Sequence, residues 1–149
     1  MNLKPLTTLA LAIAVTLSSF AGSNENAIND KVKSAFSEKF TEATDVSWNA
    51  TSSYLKASFR MNDQSMFAYY SQEGTLLGIS RNLSSPTLPL KLNAELKKMS
   101  ATGWITELFE YASEEENAFY ATIENADQKI FIKSSANSSW SVIKKEKKN

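Results

Sequence analysis

Carboxylates are the residues with which this sequence could attempt catalysis, because its 149 residues include no histidine and no cysteine. That absence removes the common zinc ligand sets, Ser-His-Asp triads, cysteine nucleophiles and haem ligation, and no glycine-rich phosphate cradle is present. Hydrolysis can be run by two carboxyl groups that divide acid and base work. Glu107 and Glu110 are the nearest candidates, but on a strand a spacing of three sends them to opposite faces; Glu107 and Glu114 converge only if the fold brings them together. Asn62-Asp63-Gln64 and Asn125-Ala126-Asp127 offer oxygen donors, far fewer than a calcium loop needs, and are better explained as turns. The chemistry expected is therefore noncatalytic, with no metal and no cofactor.

Recognition is better provided for. Alternation from Tyr54 places Leu55, Ala57, Phe59 and Met61 on one strand face and Lys56, Ser58 and Arg60 on the other. With Phe67 taken as inward, the outward set is Tyr54, Lys56, Arg60, Met66 and Tyr70. With Phe119, Ala121, Ile123 and Phe131 inward, the outward set of the second half is Tyr120, Thr122, Ile130, Trp140 and Val142. Aromatic rings beside Arg and Lys combine contact area with polar anchoring. The expected site is thus a partner-binding sheet face formed by Tyr54, Lys56, Arg60, Met66, Tyr70, Tyr120, Ile130 and Trp140. A second core layer, a homo-oligomer seam or a small apolar-ligand carrier are the alternatives.

The elements that hold those residues follow from the pattern. Lys4, the apolar run Leu9 to Leu17 and the small residues around Ser19-Phe20-Ala21 predict a signal peptide over residues 1–21. The remainder, from Gly22, has 128 residues, 15 basic and 16 acidic, a formal charge of −1 that does not recruit nucleic acid; nor has it a stretch that could span a bilayer as a helix. Ile28, Val32, Ala35, Phe36 and Phe40 form the apolar stripe of a helix from about Glu25 to Phe40. A short strand around Val46 to Trp48, with both side chains on one face, precedes three strands between Tyr54 and Asn82. Pro86 and Pro89 mark a crossover.

A second helix is expected near Asn93, as its cap, with Leu92, Leu96 and Met99 as its apolar line and Gly103 as its stop. Strands follow at Trp104–Tyr111, Asn117–Glu124, Gln128–Lys133 and Ser139–Lys144, with Glu114 to Glu116 as a solvated turn and Lys144 to Lys148 as a solvated tail. Asp63-Gln64 recurs 64 residues later as Asp127-Gln128, and at that offset Ala57 meets Ala121 and Phe59 meets Ile123. Two copies of an α-β-β-β-β unit are expected, at 25–82 and 90–145, joined by 83–89. The fold class expected is α+β, with helices packed on one face of a curved antiparallel sheet.

The signal peptide, Val32 to Phe40, Ala43-Thr44-Asp45-Val46-Ser47-Trp48, Tyr54 to Phe59 and Ala68 to Leu77 together resemble the beta-lactamase-inhibitor-like, PepSY-like family of secreted bacterial proteins. The resemblance implies an envelope protein, periplasmic or secreted, with tandem helix-plus-sheet units and no established enzymatic role; the protein or peptide partner is expected from the side-chain parity of the sheet face. Beta-lactamase inhibitor proteins are similar in arrangement and bind an enzyme with a saddle-shaped sheet, but no inhibitory loop or contact residue can be matched to this sequence.

Overall fold

The structure, a computed structural model, describes residues 28–135 and 138–148. The expected signal peptide, the start of the first helix near Glu25 and the turn residues 136–137 lie outside the described residues. The first helix, α1, runs Asp30–Lys39. The Asn29 side chain accepts from the Val32 amide at 3.0 Å, satisfying one of the donors a helix start leaves free. Val32 and Phe36, one turn apart, are its buried pair.

Strands β1 (Thr44–Ala50), β2 (Leu55–Met61), β3 (Gln64–Tyr70) and β4 (Leu76–Asn82) follow, then a 3-10 turn at Ser85–Thr87 and helix α2 (Leu90–Met99). The chain ends with β5 (Trp104–Ala112), β6 (Asn117–Glu124), β7 (Gln128–Ser135) and β8 (Ser141–Lys147). All eight strands form one antiparallel meander in sequence order, so β4 and β5 join the two halves directly. The β2–β3 reversal is tight because Asn62 and Asp63 take φ of 51° and 60°, the left-handed values a two-residue hairpin turn demands.

This overturns the α+β expectation. Half of the described residues are strand and 19% are helical, so the molecule is mainly β. The reason is dimensional: a ten-residue helix is about 15 Å long, whereas eight strands span roughly 34 Å. Two such helices cannot make a layer over the sheet, and its own side chains supply much of the apolar interior. One cluster joins Val32, Phe36 and Phe40 to Trp48, Leu55, Ala57, Phe59, Ala68 and Tyr70. The other joins Leu92 and Leu96 to Leu108, Ala121, Ile123, Ile132 and Trp140.

Three local expectations also change. Helix α2 starts at Leu90 with Pro89 as its cap, because proline's fixed φ suits a helix entrance; Asn93 lies inside, its Oδ1 buried without a hydrogen-bond partner among the described residues. A bulge between Thr44 and Ser47 breaks the β1 period, leaving Val46 exposed while Trp48 is buried. The strand expected over Ser139–Lys144 runs on as β8 to Lys147, so that Lys145–Lys147, expected as solvated tail, pair along β7.

Candidate binding face

Residues opposite one another in an antiparallel pair share a face, so the register assigns every side chain. Leu55 faces Tyr70, Ala57 faces Ala68 and Phe59 faces Met66, which puts Met66 and Tyr70 with the first apolar cluster. The same rule across β6 and β7 pairs Ala121 with Ile132 and Ile123 with Ile130, putting Ile130 with the second. These residues define the core side. Trp140, just before β8, is also inside: its indole N–H donates to the Leu92 carbonyl at 2.9 Å. Met66, Tyr70, Ile130 and Trp140 therefore do not join the outward face expected for them.

Tyr54, Lys56, Arg60 and Tyr120 do occupy the opposite, open side. Phe67 and Phe131, expected inward, stand there too, opposite Ser58 and Thr122. They are joined by Tyr69, Phe109 and Tyr111, which the register aligns with Lys56, Tyr120 and Ser80. Counting parity within β3 could not find this, because Met66 to Tyr70 is apolar at almost every position. In β7 a signal was present: Phe131 shares parity with Lys129 and Lys133, while Ile130 and Ile132 share the other.

Part of the open side is closed by its own rings. Tyr69 and Tyr111 are buried, with ring centroids 6.3 Å apart, and Tyr54 meets Tyr69 edge-on at 5.5 Å. Gly78 makes this possible, since a Cβ there would overlap the Tyr111 ring and hydroxyl. Tyr111 donates to the Leu77 carbonyl at 3.1 Å, and the Tyr69 and Ser80 hydroxyls lie 3.3 Å apart. Burial raises the pKa of both tyrosines.

Around this closed patch the open side alternates half-buried rings with amines. Lys56 lies 4.3 Å from the Phe67 ring centre, Lys133 5.5 Å from that of Tyr120 and Lys144 5.7 Å from that of Phe131. Phe109 stacks on Tyr120 at 5.3 Å. Glu116, expected in a solvated turn, instead pairs with Lys133 and accepts from the Tyr120 hydroxyl at 3.2 Å. Its hydrogen bond holds the Lys133 pKa up, while burial first and Glu116 second raise that of Tyr120.

Lys56 differs from the other amines. Burial lowers its pKa, and among the described residues no carboxylate pairs with it, whereas Lys129, Lys133, Lys144 and Lys148 all have one. Arg60 is exposed and donates to the Asp63 carbonyl at 3.3 Å. Glu107, on the open side, accepts from Thr122 at 2.8 Å; Glu110, on the core side, pairs with Arg81 at 2.7 Å. The two carboxylates thus have separate partners on separate faces. No three carboxylates among the described residues gather as metal ligands would.

No protein-family model and no curated protein matches the sequence. Solved structures do. A presumed periplasmic protein of Bacteroides eggerthii aligns with a TM-score of 0.70 at 13% identity, over 80% of this chain and 88% of that one. A DUF2874 family protein of Bacteroides ovatus aligns with a TM-score of 0.69 at 15% identity, over 79% and 86%. A BLIP-like protein of Bacteroides fragilis aligns with a TM-score of 0.64 at 16% identity, over 80% and 85%. The shared property is the fold: the chain has a BLIP-like architecture, and nothing in these likenesses points to the PepSY-like family.

Proposed function

We propose that this chain is a noncatalytic periplasmic or secreted module that docks a protein or peptide partner on the open side of its sheet. The observation that carries the reading is Lys56, a half-buried cation over Phe67 with no carboxylate partner among the described residues. Partial desolvation of an amine costs stability, and a carboxylate brought by a partner offsets that cost only in the complex. Arg60 adds a second cation on the same face. Tyr54, Phe67, Phe109, Tyr120 and Phe131 supply half-buried rings around them, the residue types that anchor protein interfaces. The likeness to a periplasmic and a BLIP-like protein supports both the location and the kind of activity.

The test is affinity capture from envelope extract on the chain beginning near Gly22, followed by titration of the captured protein against wild type and against K56E with Y120A. Wild type should bind at least roughly tenfold tighter than the double variant, as loss of one charged contact and one aromatic anchor implies. Equal affinities, with unfolding midpoints unchanged, would overturn the assignment of this face.

A further inference from the structure

The corner where α2 begins beside β8 has a different character from the open side. Leu90, Val142 and Ile143 are 87%, 47% and 54% exposed, three of the five exposed large apolar side chains among the described residues. Two contacts hold the corner together. The Trp140 indole donates to the Leu92 carbonyl, and the Glu95 carboxylate accepts from the Ser139 hydroxyl at 3.0 Å and the Trp140 amide at 3.2 Å. Val142 lies opposite Ile132, on the same side as α2, and Ile143 is the extra residue of a bulge against β7. Exposed amines lie on the same two elements: Lys91 follows Leu90 in α2, Lys145 and Lys147 stand on Val142's side of β8 opposite Ile130 and Gln128, and Lys144 stands opposite Phe131 on the open side. Lys91 reaches Glu95 only at 3.9 Å and Lys144 pairs with Glu146, while Lys145 and Lys147 have no carboxylate partner among the described residues.

We propose that this corner is a membrane-surface contact, in which the lysines meet anionic phospholipid headgroups and Leu90, Val142 and Ile143 enter the boundary of the acyl chains. Exposed apolar groups on elements that also carry exposed lysines match a surface whose charge is negative and whose interior is apolar. Lysine suits a diffuse headgroup layer, whereas recognition of a fitted carboxylate favours arginine. A protein hot spot would want an aromatic anchor in a pocket, and the ring of this corner, Trp140, is already buried. A second copy is disfavoured: twofold pairing of β8 edges would face lysines with lysines, and the Ile143 bulge interrupts the ladder such pairing uses.

The experiment is sedimentation of the chain with vesicles of phosphatidylcholine alone or with about 30% phosphatidylglycerol, at about 0.02 M and about 0.5 M salt. Binding should be roughly tenfold or more stronger on the anionic vesicles and largely lost at high salt. K145Q/K147Q should lose most of the gain, and so should V142S/I143S and, separately, L90S, which leaves the β8 ladder untouched. Equal sedimentation with both vesicle types, or wild-type binding by K145Q/K147Q, overturns the proposal. So does equally tight binding to polyglutamate that V142S/I143S does not weaken, which would identify an acidic protein as the occupant. The K56E/Y120A variant should keep full vesicle binding, so this corner and the open side can fail independently.

Discussion

Tyr70 carries a hydroxyl among apolar neighbours with no hydrogen-bond partner among the described residues, at 1% exposure, and burial pushes its pKa up to about 12 from 10.0. A buried unpaired hydroxyl costs stability, so Y70F should leave the unfolding free energy unchanged or raise it by about 1 kcal/mol, measured by urea titration near neutral pH. The folded state holds this proton more tightly than the unfolded chain. Its contribution is therefore complete below pH 10.0 and is lost as pH rises toward about 12. Y70F should flatten the alkaline fall in stability over that window; an identical fall would place its source in other groups. Lys56 gives the converse case: burial disfavours its charge, so K56M should stabilise the free chain while weakening the partner complex. A calorimetric melt paired with the affinity measurement separates the two effects.

At the scale of elements, the β4–β5 seam depends on close approach. The Tyr111 ring lies over Gly78, and its hydroxyl reaches back to the Leu77 carbonyl. G78A forces the ring away and should lower stability by about 1–3 kcal/mol, the usual cost of overfilling a packed site. Because the clash is with one ring, G78A should cost clearly less in a Y111L background, and a double-mutant cycle by urea unfolding measures the difference. Additive costs would mean that Gly78 is required for a reason unrelated to Tyr111. The same contact explains why the open side is only partly available: the buried tyrosines complete the seam, leaving recognition to the rings and amines around them.

For the whole molecule the question is whether two apolar clusters behave as one. They are joined by the Ile79–Ala112 to Asn82–Phe109 pairings, the Tyr111 hydrogen bond and the Arg81–Glu110 pair. Trp48 reports on one cluster and Trp140 on the other. Variants that keep only one of these tryptophans should unfold with coincident midpoints in urea, as one cooperative unit does. Split midpoints would mean that the halves fold separately and that the seam is a mere contact. Both outer strands carry a bulge, near Val46 in β1 and at Ile143 in β8, which works against growth of the sheet by addition of further copies.

The one-dimensional pattern was enough for what depends on neighbours along the chain. Val32 and Phe36 are one helical turn apart, Leu55, Ala57 and Phe59 alternate with Lys56 and Ser58, and both kinds of spacing survive in the folded molecule. Four of the eight expected site residues, Tyr54, Lys56, Arg60 and Tyr120, lie on the open side for the same reason. What required the tertiary structure was the choice of face in strands that are apolar at nearly every position. In β3 either parity buries hydrophobic area, and only pairing with Leu55, Ala57 and Phe59 turns Met66 and Tyr70 inward and Phe67 outward. The fold class was settled in the same way. Periodicity reports that a helix exists, but only its length against the sheet's width shows that two ten-residue helices leave a mainly-β molecule.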